Sequence, residues 1–552
     1  MAKLQRLIIE NFRSIGEDTV MIDFPENKPV ILIGENNAGK SNVIRALELM
    51  FGEFHPKFKK LDDFDHFGRC TENEIRIKAE VQGLVNTMGY QNYHCSGFEF
   101  SKVRGREAEF YAIQSEDGGK NQYVKNELRE ELLCIVVNSE QNLNYQLSYT
   151  SKFTLLSKVT KAFHDKLVES EERVNKLKGL FENIKATFLE VKEFDNFNSN
   201  MSEIAGQMLS NMTHALKFDF SAYDPSNYFK TLKVHPVEEG HARAYEELGT
   251  GQQQILALSF AHAYAKSFLG QGLIFVIDEP EAHLHPLAQK WLAKKMFQMA
   301  QDGLQIVITS HSPFFINLDF LDGINLVRKK EQTETISINA RTLAEYCKET
   351  GALKANEGTI IPFYSGNSTP DILNGFFANK VILVEGPTEE FALPILLESV
   401  GLDTLEKGIA IISVNGKGNL SKWWRFFTCY QIPTFVCFDN DATNDDNGNK
   451  RKDALKAIGI PEEELGNLLS IDNWNINDNF CVFGIDYEVT MRHSFSDYTT
   501  FETEERERLS TSKPILAREV AKRIVGIDRK AEDIGWQWFE KLAETINALE
   551  MK

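Results

Sequence analysis

Apolar and polar positions alternate with a period of two at the start of the chain. Leu4 to Glu10 and Thr19 to Phe24 read as half-buried strands, and Pro29-Val-Ile-Leu-Ile33 is the continuous apolar run of a strand buried on both faces. Residues 34–52 read as a glycine-rich turn feeding a helix over Ser41 to Phe51, and residues 74–82 alternate as a further strand. From about 152 to 216 the period changes: Val174, Leu177, Phe181, Ile184, Phe188 and Val191 recur at steps of three and four, the apolar stripe of a paired helix. The stripe is too short for a convincing coiled coil, and an antiparallel hairpin, a dimer contact and plain core packing all remain open.

Strand and helix alternate again over 246–345, where Leu273 to Ile277 and Gln305 to Ile308 are buried parallel-strand candidates. A second αβ series begins near Asn379 with Val381-Ile-Leu-Val384, Ile409 to Val414 and Thr434 to Phe438. Short apolar strands split by helices predict an α/β fold built on parallel sheets. Segment 346–378, punctuated around Gly366-Asn-Ser-Thr-Pro370, is the expected linker, and Asn440 to Lys450 is a polar loop.

A chain of 552 residues exceeds one core, so two or three domains are expected. No apolar run reaches the roughly 18–20 residues of a membrane span, and the opening residues lack a secretory apolar core; a cytoplasmic protein is expected. Cys70, Cys95, Cys134, Cys347, Cys429, Cys437 and Cys481 are scattered and never spaced as CxxC, which favours reduced thiols over disulfides or a zinc ribbon. The net charge of −19 argues against a protein that coats DNA. It leaves room for a local basic channel, and for carboxylates that present a bound cation to phosphate.

The candidate chemistry falls into two constellations. Gly34-Glu-Asn36-Asn37-Ala38-Gly39-Lys40-Ser41, followed by Asn42, is a complete P-loop placed after a strand and before a helix. That context is required, because backbone N–H groups and the helix N-terminus cradle phosphates, with Lys40 reaching the β/γ-phosphates of ATP and Ser41 holding Mg²⁺. Leu273 to Pro280 ends a buried strand in two carboxylates, which suits Asp278 to the magnesium shell and Glu279 to polarising the attacking water. Glu247-Leu-Gly249-Thr250-Gly251-Gln252 resembles the signature loop of the ABC ATPase superfamily, which caps the nucleotide of the opposite subunit. Gly249 and Thr250 stand where that loop usually has serine and glycine, so Thr250 is the candidate hydroxyl. Ile308-Thr-Ser-His311-Ser-Pro313 resembles the superfamily's switch histidine, although alone His311 would read as a capped-turn residue. Asn11-Phe-Arg13-Ser-Ile15 resembles the opening of recombination and repair members, where the arginine lies near the nucleotide. Gln141 and Gln146 are the Q-loop possibilities.

The second constellation is acidic. Glu385 ends the strand Val381–Val384 on a glycine turn, and Glu389 follows one helical turn later. Asp439 and Asp441 close the strand Thr434–Phe438 with both side chains on one side. Such hard oxygen ligands suit Mg²⁺ or Mn²⁺, and two ions close together stabilise both oxygens of a phosphodiester displacement. Singly, each piece equally marks a solvated turn; in this order they resemble the Toprim pattern. Glu488 offers a further carboxylate and Lys513 a cation for the scissile phosphate, or a solvated surface lysine. Gly416-Lys417-Gly-Asn419 suits approach to a phosphate backbone. Trp423 and Trp424 read as helix core before base-stacking groups, and Lys450, Arg451 and Lys452 as a solvated charge cluster before a nucleic-acid track.

Together the two constellations resemble the OLD (overcoming lysogenisation defect) family of ATP-dependent endonucleases over nearly the whole chain. The resemblance implies an ABC-type ATPase in two parts, 1–151 and 217–345, around a helical dimerisation insert at 152–216. A linker (346–378) and a Toprim nuclease domain (379–552) follow. It implies Glu385, Glu389, Asp439, Asp441 and Glu488 as ligands of two divalent ions, and Lys513 as the transition-state cation. A homodimer or higher oligomer cutting DNA in antiphage defence is expected, with an accessory protein or retron nucleic acid as possible partner and no membrane. The rival readings are an ABC-type DNA clamp without nuclease activity and Toprim chemistry of primase or topoisomerase type.

Overall fold

The computed structural model describes residues 2–138, 154–208, parts of 237–263, 272–441 and 448–550, apart from a few single positions and short gaps within these spans. Thr250, Gln141 and Gln146 lie outside the described residues.

An N-terminal antiparallel sheet runs in the order 20–23, 3–10, 75–88, 91–102, 109–114, 120–121. Beside it stands a six-stranded sheet in the order 333–337, 324–329, 30–33, 305–310, 272–278, 132–138, parallel except at its 333–337 edge. Gln305 locks the two together, since its side chain accepts from Leu4 N–H at 2.8 Å and donates to Leu4 O at 2.7 Å. The expected strands at 273–277 and 305–308 are present one or two residues longer, and strand 132–138 joins them as an edge that the apolar pattern did not single out.

Alternation along the parallel strands sorts the two cores. Val30, Leu32, Ile274, Val276 and Val307 face the helix Lys40–Phe51 and the antiparallel sheet. Ile31, Ile33, Phe275, Ile277, Ile306 and Ile308 face the helix Pro286–Gln301. Each fully buried aliphatic side chain contributes about 1.5–3 kcal/mol of desolvation.

The third sheet has five strands in the order 409–413, 380–384, 434–439, 480–483, 475–477, parallel except at the last. Its Val381, Leu383, Val436 and Phe438 join the same core as the ATP-side strands, while Ile382, Val384, Phe435 and Cys437 pack under the C-terminal helices. The two parallel sheets therefore share one apolar seam.

That seam explains segment 346–378. The stretch is folded rather than open chain: a helix spans Glu357–Asn367, and Ile360, Tyr364, Ile372, Leu373 and Phe376 are buried. Tyr364 meets Trp423 edge-on at 5.1 Å, and Trp423 is wholly buried, so the core reading of that tryptophan holds. A second tie is polar. Arg328 donates to Gln431 O at 2.8 Å and to Ala378 O at 3.3 Å, across a cavity of about 670 Å³ between the P-loop turn and the third sheet.

Three helices, Leu155–Val168, Glu171–Leu189 and Lys192–Met208, fill the expected helical stretch. On the middle one the apolar stripe stays unburied, with Ile184 and Phe188 both about half exposed. All seven cysteines are free thiols, and among the described residues no helix is long and apolar enough to cross a membrane.

Candidate functional site

The nucleotide-type turn is built by strand 30–33 running into the helix that starts at Lys40. Two glycines are required there. Gly34 sits at φ 148° with Val327 O where a Cβ would lie 2.0 Å away, and Gly39 sits at φ 113° against Thr333 Oγ1 at 2.2 Å. Thr333 donates to Ala38 O at 2.8 Å and meets Ser14 Oγ at 2.7 Å, and Asn42 donates to Ser14 at 2.6 Å, so the Asn11–Ile15 turn is tied to the P-loop. Arg13, at φ 58°, pairs with Asp65 at 2.7 Å through one terminal nitrogen of its guanidinium. Asn36, Asn37 and Ser41 are exposed, while Ala38, Gly39 and Lys40 are buried.

Lys40 Nζ donates to Gly34 O and Glu35 O, each at 2.9 Å, and lies 2.9 Å from His311 Nε2. Burial pushes its ammonium down to about 8, against the pull of Glu279, Asp278 and Glu281. Burial and the neighbouring Lys40 also lower His311, against the pull of Glu279, whose Oε1 lies 3.5 Å from Nε2, and of Asp278. Asp278 and Glu279 end strand 272–278 beside Thr309: Asp278 accepts from its hydroxyl, and Glu279 N–H is held by Thr309 O at 3.2 Å. Glu279 takes φ 51°, a left-handed backbone that is costly for a non-glycine residue and aims the carboxylate away from the strand line. Sequence reasoning missed Glu281, which accepts from His311 N–H at 2.5 Å and whose carboxyl is raised by burial. Its signal was present in the spacing Asp278-Glu279-Pro280-Glu281. In the signature-like loop, Gly249 N–H donates to the Gln252 side chain at 3.3 Å, and Gly251 and Gln252 open the next helical turn.

The acidic residues converge at the C-terminal ends of adjacent parallel strands. Val384 pairs with Cys437, which brings Glu385 to the end of the strand that closes in Phe438-Asp439. Glu389 is buried inside the first turn of the helix Pro387–Ser399 and accepts from Gly386 N–H at 3.2 Å. Burial first, then Glu385 and Glu488, push Glu389 up to about 7. Asp439 is raised well above the usual carboxylate range by burial and by Glu389, Glu385 and Glu488. Glu488 comes from a third element, the helix Tyr487–Ser494 capped by Asp486, and Lys513 Nζ lies 3.5 Å from it. Asp441 is held by Lys417 Nζ at 2.5 Å, and the same ammonium lies 3.5 Å from Glu385 Oε2.

These acids therefore form one acidic cluster: Glu385, Glu389 and Glu488 all act on Asp439, and Asp441 acts on Glu385. Among the described residues no group of three or more His, Cys, Asp or Glu side chains is drawn to the spacing of a finished metal cage. Even so, the donor set fits a hard divalent cation. Asp439 Oδ1 is a buried oxygen without a hydrogen bond, and Asp439 stands among the carboxylates Glu389, Glu385 and Glu488, whose charges with burial raise it. Tyr487, missed from sequence, is buried beside these acids with its hydroxyl unpartnered. Arg451 does not track outward, because it donates to Asn440 Oδ1 at 2.8 Å and braces the Asp439–Asp441 turn. Lys450 and Lys452 stand on the same helix, Asn449–Ala457, which opens inside the stretch read as a loop.

Residues 30–317, more than half of the chain, match the family described as "AAA domain, putative AbiEii toxin, Type IV TA system". The chain belongs to this AAA-domain family. Residues 376–441 match the "Overcoming lysogenization defect protein-like, TOPRIM domain". This AAA-domain chain is 25% identical to the OLD nuclease of Thermus scotoductus, over 79% of its own length and 82% of that protein. To the Old nuclease of Escherichia phage P2 it is 22% identical over 90% of its length and 86% of that protein, and to the endonuclease GajA of Bacillus cereus strain VD045 23% over 75% and 71%. The α/β architecture is thus an AAA-type ATPase domain followed by an OLD-like Toprim domain, and those domains imply use of ATP and of divalent metal.

Proposed function

We propose that the chain is an ATP-regulated, divalent-metal-dependent endonuclease that hydrolyses DNA phosphodiesters as an effector of antiphage defence. The observation that carries this reading is the convergence of Glu385, Glu389, Asp439, Asp441 and Glu488 from separate elements into one acidic cluster. Nuclease names on relatives aligned over most of the chain support it.

In this reading the ATPase is formed by 1–151 and 217–345, the insert by 152–216, and the Toprim domain by 379–552 after the 346–378 connection. Lys40, Ser41 and Asn42 with the Asn36–Gly39 backbone bind the triphosphate, Asp278 and Ser41 complete its Mg²⁺ shell, and Glu279 orients water beside His311. Arg13, and Gly249 to Gln252 with Thr250 from a second copy, complete the nucleotide site. The half-exposed stripe through Ile184 and Phe188 supports a homodimer made by the insert.

Glu385, Glu389, Asp439, Asp441 and Glu488 would hold two Mg²⁺ or Mn²⁺ ions. Bound there, such ions supply Lewis-acid stabilisation of the attacking and leaving oxygens. The protein's own groups do the rest: the strand ends fix the carboxylates, the apolar floor of Ile382, Val384 and Cys437 excludes water, and Lys513 offers positive charge to the phosphate. The seam joining both sheets supplies a rigid path for nucleotide state to bear on DNA access. An accessory defence protein or retron nucleic acid would bind outside this core.

The test is a supercoiled-plasmid assay with Mg²⁺ or Mn²⁺. Wild type should nick or linearise DNA, and Asp439→Asn should not, while both bind ATP equally. Cleavage that survives Asp439→Asn in purified protein overturns the assignment.

A further inference from the structure

Lys417 opens the helix Lys417–Cys429 on the turn after strand Ile409–Ser413, and its side chain is only 3% exposed. A buried ammonium is expensive unless anions compensate it. Here Asp441 Oδ1 at 2.5 Å, Asp441 O at 3.2 Å and Glu385 Oε2 at 3.5 Å do so. The turn that delivers it is rigid and tied to one of its partners. Gly416 N–H donates to Glu385 O at 2.8 Å, Asn419 donates to Val414 O at 3.0 Å, and Asn415 and Gly416 take φ 56° and 117°.

The lysine thus contacts one side of the acid pocket. Glu389 and Asp439, deeper in it, make no ion pair with Lys417, and Asp439 Oδ1 has no hydrogen bond. An ammonium that bridges two carboxylates occupies the position of a cation there, with half the charge of a divalent ion. A divalent cation arriving at Glu385 and Asp441 meets both a competitor for their oxygens and a like charge at close range.

We propose that Lys417 is a tethered counter-cation that competes with the divalent ion for Glu385 and Asp441. It thereby sets the metal concentration at which the acidic centre is loaded. This rests on the reading of the acid pocket as a metal site. It makes loading at Glu385 and Asp441 an exchange of a resident charge for an incoming one.

The experiment is Mn²⁺ titration of the full chain without nucleotide or DNA, followed by electron paramagnetic resonance of free Mn²⁺ and by thermal melting. Wild type, Lys417→Met, Lys417→Gln, Lys417→Arg and Asp439→Asn are compared. Removing the competitor should tighten Mn²⁺ binding roughly tenfold or more in Lys417→Met and Lys417→Gln, the scale on which groups contacting metal ligands act. Their metal-free melting temperature should fall, Mn²⁺ should raise it more than in wild type, and Lys417→Arg should stay near wild type. A variant that folds only with Mn²⁺ supports the same conclusion. Unchanged or weaker binding in both folded neutral variants, with wild-type uptake intact, overturns the competition alone. No Mn²⁺ uptake in wild type beyond that of Asp439→Asn overturns the metal-site reading and the competition with it.

Discussion

Arg328→Met tests whether the nucleotide-binding and acidic halves are mechanically joined. Arg328 comes from the strand Ile324–Lys329, which pairs with the P-loop strand, and its guanidinium bridges to Gln431 O at 2.8 Å and Ala378 O at 3.3 Å. Both acceptors flank the strands that deliver Glu385 and Asp439. Burial lowers the guanidinium's affinity for its proton, and Glu35 and Glu334 offset this, so the strut also feels the P-loop's own charge. Hydrogen bonds from a charged donor contribute about 1.5–3 kcal/mol each when buried. The Gln431 contact is solvent-exposed and the Ala378 contact longer, so about 2 kcal/mol for the pair is the appropriate scale. That corresponds to roughly a 30-fold shift in any opening that separates the two sheets. Hydrogen exchange read by mass spectrometry should show amides of 378–384 and 431–436 exchanging about 30-fold faster through sub-global opening, with the 272–278 strand unaffected. Nicking should lose its dependence on ATP while the nucleotide-free rate is retained. Unchanged exchange in both segments, in a variant of wild-type melting behaviour, would refute the strut.

Three further outcomes follow from other parts of the structure. Gly34→Ala should abolish ATP binding in a fluorescent-nucleotide titration, because its Cβ would lie 2.0 Å from Val327 O on an unyielding strand. Trp423→Ala should destabilise the chain by roughly 3–5 kcal/mol in urea melts. Trp423→Phe should cost clearly less, because the indole N–H it removes is buried without a hydrogen bond. His55→Gln should flatten the loss of stability between pH 7.5 and 6. The neutral ring is already satisfied, with Nδ1 accepting from Lys57 N–H at 3.2 Å and Nε2 facing Val124 O at 3.3 Å. Burial and the nearby Arg129 lower its proton affinity in the fold. The unfolded chain therefore takes up a proton first as pH falls through about 6.5, and wild type loses stability there. Equal urea midpoints for wild type and His55→Gln at both pH values would contradict this.

Much of the chemistry was legible because it is local. A P-loop, a strand ending in Asp278-Glu279, and the acidic turns at Glu385 and Asp439 each need only a strand, a turn and a helix in sequence order, and apolar periodicity reveals those units. Residues that act across the chain left no such trace. Glu281 matters because His311 folds back onto it, and Tyr487 because its helix packs under the acidic strands. Lys417 was readable as a basic residue suited to phosphate, yet its partners are acids from two other strand ends. Segment 346–378 looked like connection because its polar and glycine positions hide a sparse apolar set. That set becomes core only when Trp423, Phe426 and Tyr430 arrive from another helix to cover it.

The sequence alone determined the two kinds of site and their order, since backbone cradles and strand-end carboxylates are specified within a few residues of each other. Tertiary structure decided how the sites are charged and joined. Burial raises Glu389 to about 7, a lysine from a neighbouring turn compensates Glu385 and Asp441, and one apolar seam ties the nucleotide sheet to the acidic one. Desolvation and Coulomb energy depend on distances between elements far apart in the chain, and only the packed fold sets those distances.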